Sequence, residues 1–259
     1  MKIMVLTAVH NAAGDRREVY EIFCKRMEAV RDNTAIETLI VGSEGSVSED
    51  IARQYGHHYV EHENKPLSYK FNAGMRDLRE HSPDYVMILG SDDIASDSFF
   101  DAHVALADGY RYGVIGVHDL YFMGLHDKRW GFGVCGYWNG HKKRKMLGVG
   151  RMVSSDILDS CDWTPWYDSR NAGMDAALSK TIQKAGAQGV NVSSVIFGIK
   201  NHHHLLIDIK TRGNISSMSN FELEGVDYTK LFYEHLPYEE AKALTDYCTY
   251  KINSVWNRP

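Results

Sequence analysis

The sequence predicts an α/β fold, a mostly parallel sheet flanked by helices, and three observations predict it. Short apolar, partly β-branched runs alternate with amphipathic stretches through the first ninety or so residues. The amphipathic stretches carry their apolar residues at helical spacing. The fourth apolar run, Tyr85-Val86-Met87-Ile88-Leu89-Gly90, ends on Ser91-Asp92-Asp93. Two adjacent carboxylates thus stand at the carboxyl end of a buried strand, where open α/β sheets place their ligand crevice.

The elements follow in order. Ile3 to Val9 reads as a first strand. Arg16 to Val30 places Val19, Ile22, Phe23, Met27 and Val30 on one helical face. Ile36 to Val41 is a second strand with Gly42 to Ser46 as its turn, and Ser48 to Tyr55 a short helix with Ser48 as N-cap. His57 to Glu61 is a third strand, Leu67 to Glu80 a helix, and Tyr85 to Leu89 the fourth strand, with a further helix starting near Ala95. Such alternation implies right-handed crossovers and the nucleotide-binding half of a doubly wound fold.

The second half reads differently. Tyr112 to Phe122, Trp130 to Tyr137 and Gly148 to Ser154 are strand candidates. Asn171 to Ala185 is a helix ended by Gly186, and Val190 to Ile199 a late strand leading into His202-His203-His204. Tyr228 to Val255 is helical, with the Leu236-Pro237 break marking a helix start. The expected organisation is one domain: a nucleotide-sugar-binding half over 1–95, an acceptor and catalytic half over 96–210, and a helical tail over 211–259.

Composition narrows the classes. A chain of 259 residues fits one large α/β domain. No apolar run approaches the ~20 residues that span a bilayer, and the N-terminus turns polar too soon for a signal peptide. The four cysteines (Cys24, Cys135, Cys161, Cys248) are far apart, without metal or disulfide-framework spacing, so they read as reduced thiols of a cytoplasmic protein. The net charge of −5 argues against a wholly basic nucleic-acid-binding surface.

Asp92 and Asp93 admit two readings. They cap the helix near Ala95, or they hold a hard divalent cation that bridges to a phosphate.

The constellation around them resembles family-2-like glycosyltransferases of the GT-A fold, over roughly residues 1 to 204. The residues that carry the resemblance are Thr7-Ala8-Val9-His10-Asn11 after the first strand, Ser43-Glu44-Gly45-Ser46 after the second, and Lys70-Phe71-Asn72-Ala73-Gly74 on the helix before the fourth. Ser91-Asp92-Asp93 stands for the family's metal motif, and Met174-Asp175, in the run Gly173 to Gly186, for its catalytic acid pair. The resemblance implies a mixed, mostly parallel central sheet and Mn2+ or Mg2+ held by Asp93 and Asp92. It implies transfer of a sugar from a nucleotide-sugar donor, a UDP-sugar, to an acceptor hydroxyl, with Asp175 as base and inversion at the anomeric carbon. Donor contacts fall on Thr7, His10, Asn11, Ser43, Glu44, Lys70, Asn72, Ser91 and Asp92, with Arg76 also near the diphosphate. A late histidine, His202 or His204, would complete the metal shell, since imidazole is a neutral ligand near pH 7.

The chain departs from the pattern at Ser43, Ser91 and Met174, where the family carries acids. Asp175 can also be read as an acid favoured at a helix N-terminus, and the histidines as a solvated loop. Acceptor binding is expected at Trp163, Trp166 and Arg151. The stretch His126 to Arg151 interleaves Lys128, Arg129, Lys142, Lys143, Arg144, Lys145 and Arg151 with Trp130, Phe132, Tyr137 and Trp138. That mix suits a solvated hairpin, or a polyanionic acceptor such as hydroxymethylated DNA with the base flipped out. The acceptor is otherwise open between a glycan and a small molecule, and the tail could serve a homodimer. A nucleotidyltransferase and a non-catalytic sugar- or nucleic-acid-binding module are the competing classes. Asn11-Ala12-Ala13-Gly14-Asp15-Arg16 is a poor version of the triphosphate loop that the first of these needs.

Overall fold

A computed structural model describes residues 1–12, 14–126, 129–134, 145–211 and 223–256. The first half follows the expected alternation: β1 (Ile3–Ala8), α1 (Arg17–Thr34), β2 (Glu37–Gly42), α2 (Ser46–Gln54), β3 (His58–Glu61), α3 (Leu67–Glu80) and β4 (Tyr85–Ile88). The second half contains β5 (Asp93–Ala95), α4 (Asp97–Tyr110), β6 (Val114–Val117), β7 (Asp119–Gly124), β8 (Arg129–Val134) and β9 (Arg151–Ser154). It continues with α5 (Ser155–Asp159), α6 (Met174–Ala187), β10 (Ser194–Phe197), β11 (Leu206–Lys210), α7 (Tyr228–His235) and α8 (Tyr238–Trp256).

The central sheet has seven strands in the order β10-β6-β9-β4-β1-β2-β3. All its pairs are parallel except the two made by β9, which runs antiparallel between β4 and β6. The sheet is therefore mixed and mostly parallel. A second sheet, β5-β11-β7-β8, lies beside it. In that sheet β11 pairs antiparallel with β5 and sets Asp208 opposite Asp93.

Helices cover both faces. On one face Met75 and Leu78 of α3 pack on Leu6, Leu39 and Val41. On the other, Val19, Phe23, Met27 and Val30 of α1 pack on Val5 and Ile40. α3 sits close on the sheet at Gly74, where a Cβ would come within 2.5 Å of Val41 Cγ2 and 2.6 Å of Leu6 Cδ1. The glycine of the Asn72-Ala73-Gly74 motif is thus a packing requirement. The tail helices α7 and α8 join the larger core through Leu231, Phe232, Leu244 and Cys248, and Arg26 of α1 pairs with Glu240 at 3.3 Å. No helix among the described residues is long and apolar enough to cross a membrane. Cys24, Cys161 and Cys248 are free and buried.

Several sequence expectations need correction. Ser48 is not an N-cap: α2 starts at Ser46 after Gly45, and the buried Ser48 hydroxyl bonds Tyr59 Oη at 2.8 Å. The helix after the acidic motif is capped at Ser96, because β5 intervenes. The stretch 112–122 is two strands, β6 and β7, separated at His118. α6 begins at Met174, after Gly173 in a left-handed conformation, and runs past Gly186 to Ala187. β11 was not anticipated.

Candidate active site

The loops after β1, β2 and β4 all emerge at the carboxyl ends of neighbouring parallel strands, so the chain order brings 7–16, 42–46 and 89–93 together. Asp92 and Asp93 are buried there. The backbone N–H of Gly90 donates to the Asp93 carboxylate. Antiparallel pairing with β11 then adds Asp208 from the far end of the chain. One carboxylate oxygen from each of Asp92, Asp93 and Asp208 lies within 4.8 Å of the others.

Three carboxylates in one buried pocket repel one another. Burial pushes the Asp93 carboxyl well above its ordinary value, and Asp208 and Asp92 push it further. Burial also raises Asp208, to about 6, although Lys210 beside it pulls the other way. Two cations of the chain answer the charge. Lys210 Nζ lies 2.5 Å from Asp208 Oδ2, and Arg16 Nη2 lies 2.7 Å from Asp92 Oδ1. Burial alone would lower Lys210, but Asp208 and Asp92 outweigh it and the net shift is upward. The second oxygen of Asp208, Oδ1, is buried with no hydrogen-bond partner among the described residues. A buried carboxylate oxygen without a donor is an incomplete structure. An all-oxygen, carboxylate-rich set with such an orphan fits a hard divalent cation, Mg2+ or Mn2+.

The cluster opens on a cleft of about 230 Å³. Phe71, Gly148, Val149, Trp166, Met174 and Asp175 line the same cleft as the carboxylates. Asp175 is exposed in the first turn of α6. Its carboxylate lies against Gly148, where a Cβ would come within 1.8 Å of Oδ1. A larger depression of about 490 Å³ lies at the amino ends of the strands, lined by Met1, Asp84, Tyr85, Arg111 and Asp156 among others. It lacks the converging buried carboxylates, so size alone does not identify the site.

The other predicted residues divide into two groups. Thr7, His10, Asn11, Ser43, Glu44 and Ser91 do stand at this end of the sheet, but most are occupied by the fold. Glu44 receives the backbone N–H groups of Asn11 and Ala12, locking the first two loops together. Ser91 Oγ accepts from Arg16 at 3.3 Å. The His10 imidazole lies 3.5 Å from the same guanidinium, and burial, then Arg16 and Lys70, lower its pKa. Arg16, which the sequence offers only as the end of a poor triphosphate loop, is turned onto Asp92 instead.

Lys70, Asn72, Arg151 and Trp163 are not free for ligand. The Lys70 ammonium donates to Val9 O at 2.5 Å, Ser43 Oγ at 2.9 Å and Asn64 Oδ1 at 3.4 Å. Its three protons are accounted for, and burial lowers its pKa to about 8. Asn72 clamps the Trp166 backbone, donating to its carbonyl at 2.7 Å and accepting from its N–H at 3.3 Å. Arg151 is buried and spends its donors on Leu147 O, Met146 O, Asp175 O and Ser179 Oγ at 3.0–3.2 Å. It holds α6 in place beneath Asp175. Trp163 is a core residue, with Nε1 donating to Asp159 at 2.7 Å. Trp166 is also buried, yet it lines the cleft.

The histidines are not brought to the aspartates. His202 closes a 3-10 turn, and His203 is left-handed, so the segment is not extended. His202 and His204 nevertheless stack, at 6.1 Å between centroids, and His204 Nδ1 bonds Ser98 Oγ at 3.1 Å. Asp208 lies four residue steps of nearly extended chain beyond His204, about 13 Å at ~3.3 Å per residue. Asp208 takes the third position in the carboxylate cluster instead. Much of the basic stretch, including Lys128, Lys142, Lys143, Arg144, Tyr137 and Trp138, lies outside the described residues.

No family model matches the chain, and no curated protein matches it by sequence. Solved structures do match by shape. S. aureus TarS, residues 1–349, in complex with UDP superposes with a TM-score of 0.52 at 12% identity, over 100% of this chain and 71% of that one. TarS in complex with UDP-GlcNAc gives 0.51 at 12% identity over 90% of this chain. The chain spans 64% of the length of that TarS chain. The chain shares the mixed α/β, GT-A-like fold of these neighbours.

Proposed function

We propose that the chain is a glycosyltransferase that moves a sugar from a nucleoside diphosphate donor, a UDP-sugar, to an acceptor hydroxyl. The observation that carries the reading is the convergence of Asp92, Asp93 and Asp208 at a cleft that Asp175 also lines. The fold shared with a protein crystallised with UDP and UDP-GlcNAc supports the donor class.

Asp92, Asp93 and Asp208 would hold Mn2+ or Mg2+. That cation supplies Lewis-acid stabilisation of the charge that develops on the departing diphosphate. The chain's own residues do the rest. Lys210 and Arg16, adjacent to the carboxylates, keep positive charge at the diphosphate end of the cleft. Phe71 and Trp166, with ring centroids 5.4 Å apart, give the sugar an apolar wall. Asp175 accepts the proton of the attacking hydroxyl, a contribution of roughly 10²–10⁴-fold. A carboxylate base that lines the same cleft suits direct inversion at the anomeric carbon.

The test is thermal-shift screening of nucleotide sugars with and without Mn2+. A ligand that binds only the native state raises the melting temperature by mass action. UDP-sugars are expected to stabilise the protein, and to do so more strongly with Mn2+. Stabilisation by nucleoside triphosphates alone, or by no nucleotide, contradicts the reading.

A further inference from the structure

At the opposite end of the sheet, a second group of ligating side chains converges. Glu37 opens β2, His58 opens β3, and His81 follows the last turn of α3. Parallel pairing sets His58 beside Leu39, two residues along from Glu37. Both side chains therefore lie on the face that α3 covers. One ligand atom of each residue lies within 4.8 Å of the other two. His58 Nε2 is 3.3 Å from Glu37 Oε2, and the two imidazole rings are 4.4 Å apart. Ligand bonds of ~2.0–2.1 Å in a tetrahedron put neighbouring ligand atoms about 3.3 Å apart. The His58–Glu37 separation already has that length.

The surroundings also favour a cation. The carboxyl end of α3 carries the negative end of its dipole. Asp77 Oδ2 lies 3.6 Å from His81 Nε2. It can serve as a fourth ligand or as the carboxylate that orients the imidazole. Against this, an ammonium competes for the same carboxylate: Lys2 Nζ is 3.6 Å from Glu37 Oε2 and donates to His81 O at 3.0 Å, so uptake of the ion draws Glu37 away from Lys2. The side chains of His58, His81 and Glu37 are 41%, 27% and 38% exposed, so an ion can reach them from solvent.

We propose that Glu37, His58 and His81 form a Zn2+ site, with Asp77 in support, that fastens the end of α3 to β2 and β3. Two imidazoles and a carboxylate are a borderline ligand set that suits Zn2+, where the all-oxygen cluster at the other end suits Mg2+ or Mn2+. The site is independent of the transferase reading.

The test is Co2+ uptake by the chelator-treated full chain, in excess Mg2+ so that the carboxylate cluster is satisfied, followed by Zn2+ displacement. The wild type is expected to give the visible absorption of tetrahedral Co2+, abolished by Zn2+. His58→Ala and His81→Ala each lose the band and bind Zn2+ at least ~10-fold more weakly, and Asp77→Asn weakens it about tenfold. Asp93→Asn keeps the band. Circular dichroism checks that the variants, altered at partly exposed side chains, stay folded. The absence of a band in the wild type, a band insensitive to both histidine changes, or a band lost in Asp93→Asn would overturn the proposal.

Discussion

Two clusters of ligating side chains occupy opposite ends of one sheet. The carboxyl-end cluster is all-oxygen, with Asp92 and Asp93 buried and Asp208 largely so, and is strained by its own charge. The amino-end cluster is half-exposed, imidazole-bearing and assembled where a helix terminates. The first opens on a cleft that Asp175 also lines, whereas Glu37, His58 and His81 line neither that cleft nor the depression at the amino ends of the strands. Convergence of ligands alone therefore does not mark a reaction centre. A buried charge imbalance next to a cavity does, because only there does binding a cation relieve a cost built into the fold.

The largest expected effect separates the two ends. Burial, then Asp208 and Asp92, raise the Asp93 carboxyl above its ordinary 3.8. The native state thus holds that proton more tightly than the unfolded chain, and native stability falls as pH rises above about 4. Asp93→Asn removes the ionisation. It is expected to cut sugar transfer by roughly 10²–10³-fold, yet to melt higher than wild type at pH 8 in chelator. The difference in melting temperature should vanish towards pH 4. A variant that melts lower at pH 8 would show that the cluster is a structural contact like its amino-end counterpart.

A smaller effect is expected at Gly148. A Cβ there meets Asp175 Oδ1 at 1.8 Å, and the exposed carboxylate can swing away. Gly148→Ala should leave the melting temperature and the KM for the nucleotide sugar unchanged while lowering kcat about 10²-fold, as a misplacement of ~1 Å does. An unaltered kcat would remove Asp175 from the reaction. Smallest of all, Trp163→Phe loses a partly buried hydrogen bond to Asp159. It should cost ~1–2 kcal/mol in urea denaturation and leave kcat unchanged. A fall in kcat would return Trp163 to the acceptor site.

The sequence made the first half of the fold legible because its strands and helices alternate at separate periodicities. It exposed Asp92 and Asp93 because they stand directly after an apolar strand. Asp208 was hidden, since Leu206-Ile207-Asp208-Ile209-Lys210 by itself reads as a short run with no address. Its place depends on antiparallel pairing with three-residue β5, more than a hundred positions earlier. Lys70, Asn72 and Arg151 have the residue types of ligand contacts, but the loops at this end leave carbonyls and backbone N–H groups that need partners. These side chains supply them, and no spacing rule separates the two uses. Arg16 was legible only as part of a poor phosphate loop, while the fold turns it onto Asp92.

The central claim is that Asp92, Asp93 and Asp208 bind one divalent cation that a nucleoside diphosphate shares. Titration of Mn2+ followed by electron paramagnetic resonance tests it directly, on the wild type and on Asp208→Asn, each with and without UDP. The wild type should take up one Mn2+, more tightly with UDP, and Asp208→Asn should bind it at least ~10-fold more weakly. Equal Mn2+ binding by the two proteins, or no uptake by the wild type even with UDP, would contradict the account.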